Sequence, residues 1–237
     1  MARILGILFD KDGTLFDFTA TWGEWARALL IELAAGDPVE VQRLAAAIGY
    51  VMPHADQPGH FEPHSPVIAG TAEFIAEHLL PHLTGWEAER LIRWMNLRAE
   101  DVPLAEAVPL RPLFMGLRAG GLRLGLATND SEVPARKHLA QAGVADLFDF
   151  VAGYDSGHGA KPEPGQLLAF AKAMGLAPES VAMVGDSRHD LAAGRAAGMV
   201  VLGVLTGPAR AEALAPLADA ILPDIGAIPA WLAARGD

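Results

Sequence analysis

Two hydrophobic periodicities divide this chain. Near the N-terminus, Ile4-Leu5-Gly6-Ile7-Leu8 is a short apolar run without polar alternation, the pattern of a strand buried on both faces of a parallel sheet. From Phe18 to about Pro103 the apolar positions recur at helical spacing instead, and no strand is expected there. The pattern predicts a helix over 21–35, stopped by Gly36, and another starting at Asp37-Pro38 and running to about 49. A second helical pair is expected over 70–83 and 86–100. After Pro109 the two patterns alternate: helix 111–119, strand 122–127, helix 133–142, strand 150–153, helix 165–174, strand 181–185, a helix to 197, strands 200–205 and 220–222, and a closing helix 225–234. Such alternation predicts an α/β fold with a parallel sheet and right-handed crossovers. Residues 1–16 and 104–237 then form one domain, interrupted by a helical insert over 17–103.

Composition narrows the class. With 51% hydrophobic residues in 237, the chain can bury a sizeable core. It has no cysteine, which excludes disulfides and thiolate metal sites. The formal net charge is −11, unevenly placed: residues 17–103 carry five Arg and no Lys against thirteen Asp and Glu, a net of −8. An acidic surface argues against nucleic acid or an anionic membrane as partner. No stretch approaches the length of a membrane span, and the N-terminal apolar run is too short for a signal-peptide core. A cytoplasmic location is therefore expected.

The candidate chemistry sits where strands end. Asp10-Lys11-Asp12-Gly13-Thr14 follows the first strand, Thr128-Asn129-Asp130 the second, Lys161 lies in the loop after the third, and Asp186-Ser187-Arg188-His189-Asp190 follows the fourth. In a parallel sheet these ends face one side, where ligands gather. Of two carboxylates one residue apart, one can attack phosphorus while its neighbour moves protons. Both repel an anionic substrate unless a cation intervenes, which points to Mg²⁺, a hard ion that takes oxygen ligands. Gly13 permits a tight turn, and Thr14 adds a hydroxyl and an amide. Thr128 and Lys161 can share the charge that spreads over a transferring phosphoryl group. Each residue has an ordinary reading alone: a polar turn at Asp10–Thr14, a helix cap at Thr128-Asn129, a solvated Lys161, a cap and a first-turn acid at Asp186 and Asp190. Their joint occurrence in four strand-end clusters is what argues for phosphoryl transfer. Lys11 is expected to point away from its neighbours and is assigned no role.

These four motifs, in this order, resemble the haloacid dehalogenase superfamily, in its phosphatase branch with a helical cap inserted after the first strand. The general look is closest to phosphoglycolate phosphatases. The resemblance implies a Rossmann-like core with helices on both faces plus an α-helical cap. It implies Asp10 as the nucleophile that forms an aspartyl phosphate, and Asp12 as the acid and then the base. It also implies Mg²⁺ held by Asp10, the backbone carbonyl of Asp12, and Asp186, with Asp190 in or near that shell, and Thr128 and Lys161 on the phosphoryl oxygens. Gly13, Thr14 and Asn129 are further candidates for substrate binding. Dehalogenation would not need Asp12, and Schiff-base phosphonate cleavage would need a cap lysine that is missing here.

The expected substrate is a small phosphorylated metabolite, phosphoglycolate-like or a sugar phosphate. A sugar-phosphate mutase on the same core remains an alternative. A receiver-type phosphoacceptor is a more distant one, since it needs an acidic pair well upstream of its phosphorylated Asp and has no helical insert. Within the insert, the long loop 50–67 carries His54, Asp56, His60, His64 and Ser65, and loops of that length are usually functional or mobile. The histidine spacing matches no zinc pattern, so His54, His60, His64, Ser65 and Arg27 are read as candidate substrate donors. Trp22 and Trp25 share a helix face and are expected to be core.

Overall fold

A computed structural model describes residues 2–55 and 57–236. The chain divides into two compact units, Met1–Phe18 with Leu104–Asp237, and Thr19–Pro103. In chain order the elements are β1 (Gly6–Phe9), α1 (Phe18–Leu33), α2 (Pro38–Ala47), β2 (Tyr50–Val51), β3 (His60–Phe61), α3 (Ala72–Leu79), α4 (Ala88–Ala99) and α5 (Leu110–Ala119). There follow β4 (Arg123–Ala127), α6 (Glu132–Gln141), β5 (Phe150–Ala152), α7 (Gly165–Met174), β6 (Val181–Gly185), α8 (Arg188–Ala196), β7 (Val200–Val204), α9 (Ala211–Leu214), β8 (Ala220–Leu222) and α10 (Ile228–Arg235). None of the described helices is long and apolar enough to cross a membrane.

The first unit is built on a six-stranded sheet in the order β5-β4-β1-β6-β7-β8, with every pair parallel. β1 is completely buried, as its unbroken apolar run requires. Ile7 and Phe9 join one core with Phe114 of α5, Leu139 of α6 and Ile228 of α10, while Leu8 joins another with Phe170 of α7 and Ala193 of α8. Helices therefore cover both faces, and each inward side chain of this size contributes about 3–5 kcal/mol when it is Phe. Where the chain leaves β1 and returns, 15–17 and 105–107 lie antiparallel: Asp17 N–H donates to Ala105 O and Ala107 N–H to Leu15 O.

The second unit holds α1 to α4. Asp37 caps α2 by accepting from Val39 N–H at 2.9 Å, with Pro38 in the first turn. Thr71 caps α3 in the same way, and Trp22 and Trp25 are buried edge to face, 5.1 Å between centroids. The expectation of no strand in this region is corrected by β2 and β3, which pair antiparallel through Tyr50 with Phe61 and Val51 with His60. The Tyr50 hydroxyl donates to Gly23 O and ties this hairpin to α1. Asp56 lies outside the described residues.

Candidate active site

Sheet register brings the strand-end clusters together. Phe9 pairs with Leu126 on one side and Val184 on the other, so β1, β4 and β6 end level with one another. Asp10, Thr128 and Asp186 each follow such an end, and Asp10 N–H extends the ladder by donating to Val184 O at 2.8 Å. The strand order reverses between β1 and β6, the point at which open parallel sheets bind ligands.

Lys161 comes from the loop between β5 and α7 and is almost completely buried. Its Nζ donates to Asp10 Oδ1 at 2.6 Å and Ala127 O at 2.7 Å, and lies 2.6 Å from Asp190 Oδ1. The burial of an ammonium lowers its pKa, yet Asp10 and Asp190 outweigh that and hold Lys161 above its ordinary value. Asn129 fixes the backbone of Lys161 from both sides: its Nδ2 donates to Lys161 O and its Oδ1 accepts from Lys161 N–H, both at 2.8 Å. Asn129, expected as a substrate contact, thus spends its amide on positioning Lys161. Gln166, which sequence reasoning missed, donates to Thr128 O at 3.1 Å and Gly159 O at 2.9 Å, bracing the same loop against β4. A glutamine in the first turn of a helix whose one other polar side chain is Lys172 was the available signal.

Asp10, Asp186 and Asp190 are buried, and a carboxylate oxygen from each lies within 4.8 Å of the others. Burial, opposed by Lys161 and reinforced by Asp190 and Asp12, pushes Asp10 up to about 7. Asp186 is held well above the ordinary range by burial and by the charges of Asp10 and Asp190. Three buried carboxylates facing one ammonium leave an excess of negative charge. A hard divalent cation fits that oxygen donor set. Asp190 has other duties as well: its Oδ2 accepts from Ser187 N–H at 3.0 Å and Ser187 Oγ at 2.6 Å, closing a capping box at the start of α8.

Two glycines shape the walls around Asp186. Gly13 has φ +82°, and a Cβ there would stand 2.5 Å from Asp186 Oδ2. A Cβ on Gly207 would stand 1.7 Å from the same atom. Thr206 Oγ1 donates to Gly13 O at 2.6 Å, joining the loop after β7 to the loop after β1. Neither Thr206 nor Gly207 was picked out from the sequence, although Thr-Gly-Pro directly after a strand marks a tight turn.

Thr128 is buried, and its Oγ1 accepts from Asp130 N–H at 3.0 Å, which leaves the hydroxyl proton for a ligand. Thr14 is also buried, and its Oγ1 has no hydrogen-bond partner among the described residues. Asp12 is not part of the carboxylate trio. It meets Lys11, and the expectation that Lys11 points away is corrected here. Thr14, Leu15 and Phe16 all direct N–H groups at Lys11 O, so the backbone turns instead of staying extended. That turn swings Lys11 inward to complete burial, with Nζ 2.9 Å from Asp12 Oδ1, 3.2 Å from Asp130 Oδ2 and 3.0 Å from His138 Nδ1. Burial alone would lower the ammonium, but Asp12 and Asp130 raise it above its ordinary value.

The insert residues belong to the second unit. His54, His60 and His64 are exposed, and Arg27 pairs with Glu24 at 2.6 Å on the surface of α1. Ser65 is corrected as a donor to substrate: it is buried, and its hydroxyl donates to Ile48 O at 2.6 Å.

Relatives share both sequence and architecture. A phosphoglycolate phosphatase of Rhodospirillum rubrum is 37% identical over 146 residues, 60% of this chain and 60% of that protein. One of Neisseria meningitidis is 38% identical over 115 residues, 48% of each. The chain is thus matched over about half to three-fifths of the length of these relatives. The crystal structure of a HAD phosphatase from Thermococcus onnurineus superposes with a TM-score of 0.69 at 21% identity, covering 97% of this chain and 98% of that one. A family model for haloacid dehalogenase-like hydrolases matches residues 4–198, the span that contains all four strand-end clusters, and the chain belongs to that family.

Proposed function

We propose that this chain is a Mg²⁺-dependent phosphatase that hydrolyses a small phosphorylated metabolite, phosphoglycolate-like or a sugar phosphate, through an aspartyl phosphate on Asp10. The observation that carries this reading is Asp10 at the sheet's switch point, with Lys161 Nζ at 2.6 Å and Asp12 two residues on. The phosphoglycolate phosphatases among its relatives favour that substrate class.

In this reading a carboxylate oxygen of Asp10 attacks phosphorus and the bond to the leaving oxygen breaks, while Asp12 gives that oxygen a proton. Asp12 then takes a proton from water as the water attacks the aspartyl phosphate, and the bond between phosphorus and Asp10 breaks to release phosphate. Lys161 and the Thr128 hydroxyl bind the equatorial oxygens throughout. Asp10, Asp186, the Asp12 carbonyl and Asp190 would hold Mg²⁺, which supplies charge neutralisation at the phosphoryl group. The insert, 17–103, serves as a cap that sets substrate choice.

The experiment is release of inorganic phosphate from p-nitrophenyl phosphate and from phosphorylated metabolites with and without Mg²⁺, together with Asp10→Asn. The wild type turns over repeatedly with Mg²⁺, and Asp10→Asn loses several orders of magnitude of activity. Near-normal turnover in Asp10→Asn refutes the covalent mechanism. Isomerisation of a sugar phosphate without net phosphate release would make the protein a mutase instead.

A further inference from the structure

Lys11, Asp130 and His138 form a buried cluster beside Asp12 that the proposed reaction does not use. Lys11 stands between Asp10 and Asp12 in sequence, yet its side chain is buried completely, and so is His138 of α6. Lys11 Nζ lies 2.9 Å from Asp12 Oδ1 and 2.8 Å from Oδ2, so it grips both oxygens of that carboxylate. Among the described residues it is the one side-chain partner of Asp12 in a hydrogen bond or ion pair. Lys11 is held in turn from the far side by Asp130 Oδ2 at 3.2 Å and His138 Nδ1 at 3.0 Å. Asp130 is anchored by accepting from Ser131 N–H at 2.8 Å, and the His138 ring stands edge-on to Phe16. An ammonium donates, so Nδ1 of His138 accepts and its proton sits on Nε2.

This arrangement is costly. An apolar side chain would pack the same space without desolvating a charge, and buried ion pairs are often no more stable than their hydrophobic replacements. What Lys11 supplies and a leucine could not is a fixed orientation of the Asp12 carboxylate. A proton is transferred well only when donor and acceptor are within hydrogen-bond reach and aligned.

We propose that Lys11, locked by Asp130 and His138, is a positioning residue that aims the Asp12 carboxylate for proton transfer. The proposal rests on the reading of Asp12 as the acid and base. It makes a prediction that a purely structural lysine does not. Asp12 must protonate an alkoxide leaving group, whereas p-nitrophenolate leaves without help. Both substrates need Asp12 as base when the aspartyl phosphate is hydrolysed. Misaiming Asp12 therefore slows the first step for alkyl phosphates only, and slows the second step for both.

The test is Lys11→Met/Asp130→Asn, which frees the Asp12 carboxylate from Lys11 and does not leave Asp130 behind as a buried, unpaired charge. Its rates are read by rapid mixing with p-nitrophenyl phosphate and with whichever of glycerol 1-phosphate or 2-phosphoglycolate the wild type hydrolyses. The expected result is a burst of p-nitrophenolate at near wild-type rate followed by a steady state about tenfold slower or more, with phosphorylation by the alkyl phosphate slowed to a similar degree. Equal slowing of every step, or no slowing, overturns the proposal. Should the double variant fail to fold, Asp130→Asn alone loosens Lys11 without emptying the core and must show the same split in smaller degree; its absence overturns the proposal too. Asp12→Asn separates the two layers of argument. If that variant lacks the split, the acid–base reading falls, and if it shows the split while the Lys11 variant does not, only the positioning role falls.

Discussion

Lys161 Nζ lies 2.6 Å from Asp10 Oδ1, although 151 positions separate the two residues in the chain. The contact joins the end of β1 to the loop after β5 and places a fixed cation against the carboxylate proposed as nucleophile. Asn129 holds the Lys161 backbone at both its N–H and its carbonyl. Lys161→Met removes the charge and keeps most of the stem, so kcat/KM is expected to fall by about 10²-fold or more. Asn129→Ala leaves the ammonium in place on a looser backbone and should cost less. Steady-state kinetics with p-nitrophenyl phosphate decides, and an unchanged Lys161→Met would make this a structural lysine.

The Asp186 carboxylate is confined between two backbones that admit no side chain. A Cβ on Gly207 would stand 1.7 Å from Asp186 Oδ2, so Gly207→Ala must push the carboxylate aside. If Asp186 holds Mg²⁺, the variant needs more metal for half-maximal activity, by about 10–100-fold, and excess Mg²⁺ restores part of the rate. A Mg²⁺ titration of activity checks this; wild-type metal dependence in Gly207→Ala would separate Asp186 from the ion.

Much of the core could be read from the sequence because its elements are long enough to show their period and are bounded by glycine or proline. α7, β6 and β8 fall on the residues the pattern marks, and α6 begins one residue early. β2 and β3 left no trace, since two-residue strands carry no alternation and exist only through their pairing. The four strand-end clusters were legible because each follows an apolar run. What was hidden depends on contacts between distant residues: Gly207 against Asp186, Gln166 against the carbonyl of Thr128, and Lys11 against Asp130 and His138. Lys11 was misread for a further, local reason. Side-chain alternation holds only while the backbone stays extended, and here it turns at the residue in question.

Away from the site, Asp149 fastens the start of β4. Its Oδ2 accepts from Arg118 Nη1 at 2.8 Å and from Leu124 N–H at 3.1 Å, and Arg123 lies 3.4 Å from Oδ1. Partial burial raises the carboxyl, but Arg118, the Leu124 amide and Arg123 win and hold it below its ordinary value. A carboxyl depressed in the folded state stabilises above its unfolded pKa of about 3.9 and loses that contribution as pH falls through the folded pKa. Asp149→Asn should therefore lower stability near pH 7 by about 1 kcal/mol or less, with the gap to wild type closing in acid. Denaturant melts at neutral pH and below pH 4 check the sign; a gap that widens in acid would refute it.

In the proposed function the clusters at the sheet edge bind only a phosphoryl group and a cation, so discrimination among metabolites has to come from elsewhere, and the insert is the candidate. Its net charge of −8 makes it a poor general attractor of anions, which leaves local donors. With Ser65 engaged at Ile48 O and Arg27 paired with Glu24, the candidates left of those read from the sequence are the exposed histidines of 50–67: His54, His60 and His64. The competing view is that they are solvated side chains on a hairpin held by its own pairing and by Tyr50. Replacing all three by Ala removes no buried contact, so the fold should persist. If they select substrate, kcat/KM for the preferred metabolite falls by about tenfold or more while p-nitrophenyl phosphate, too small to need them, changes little. A parallel fall in both substrates, or no change in either, assigns the histidines to solvent and places specificity in another part of the insert.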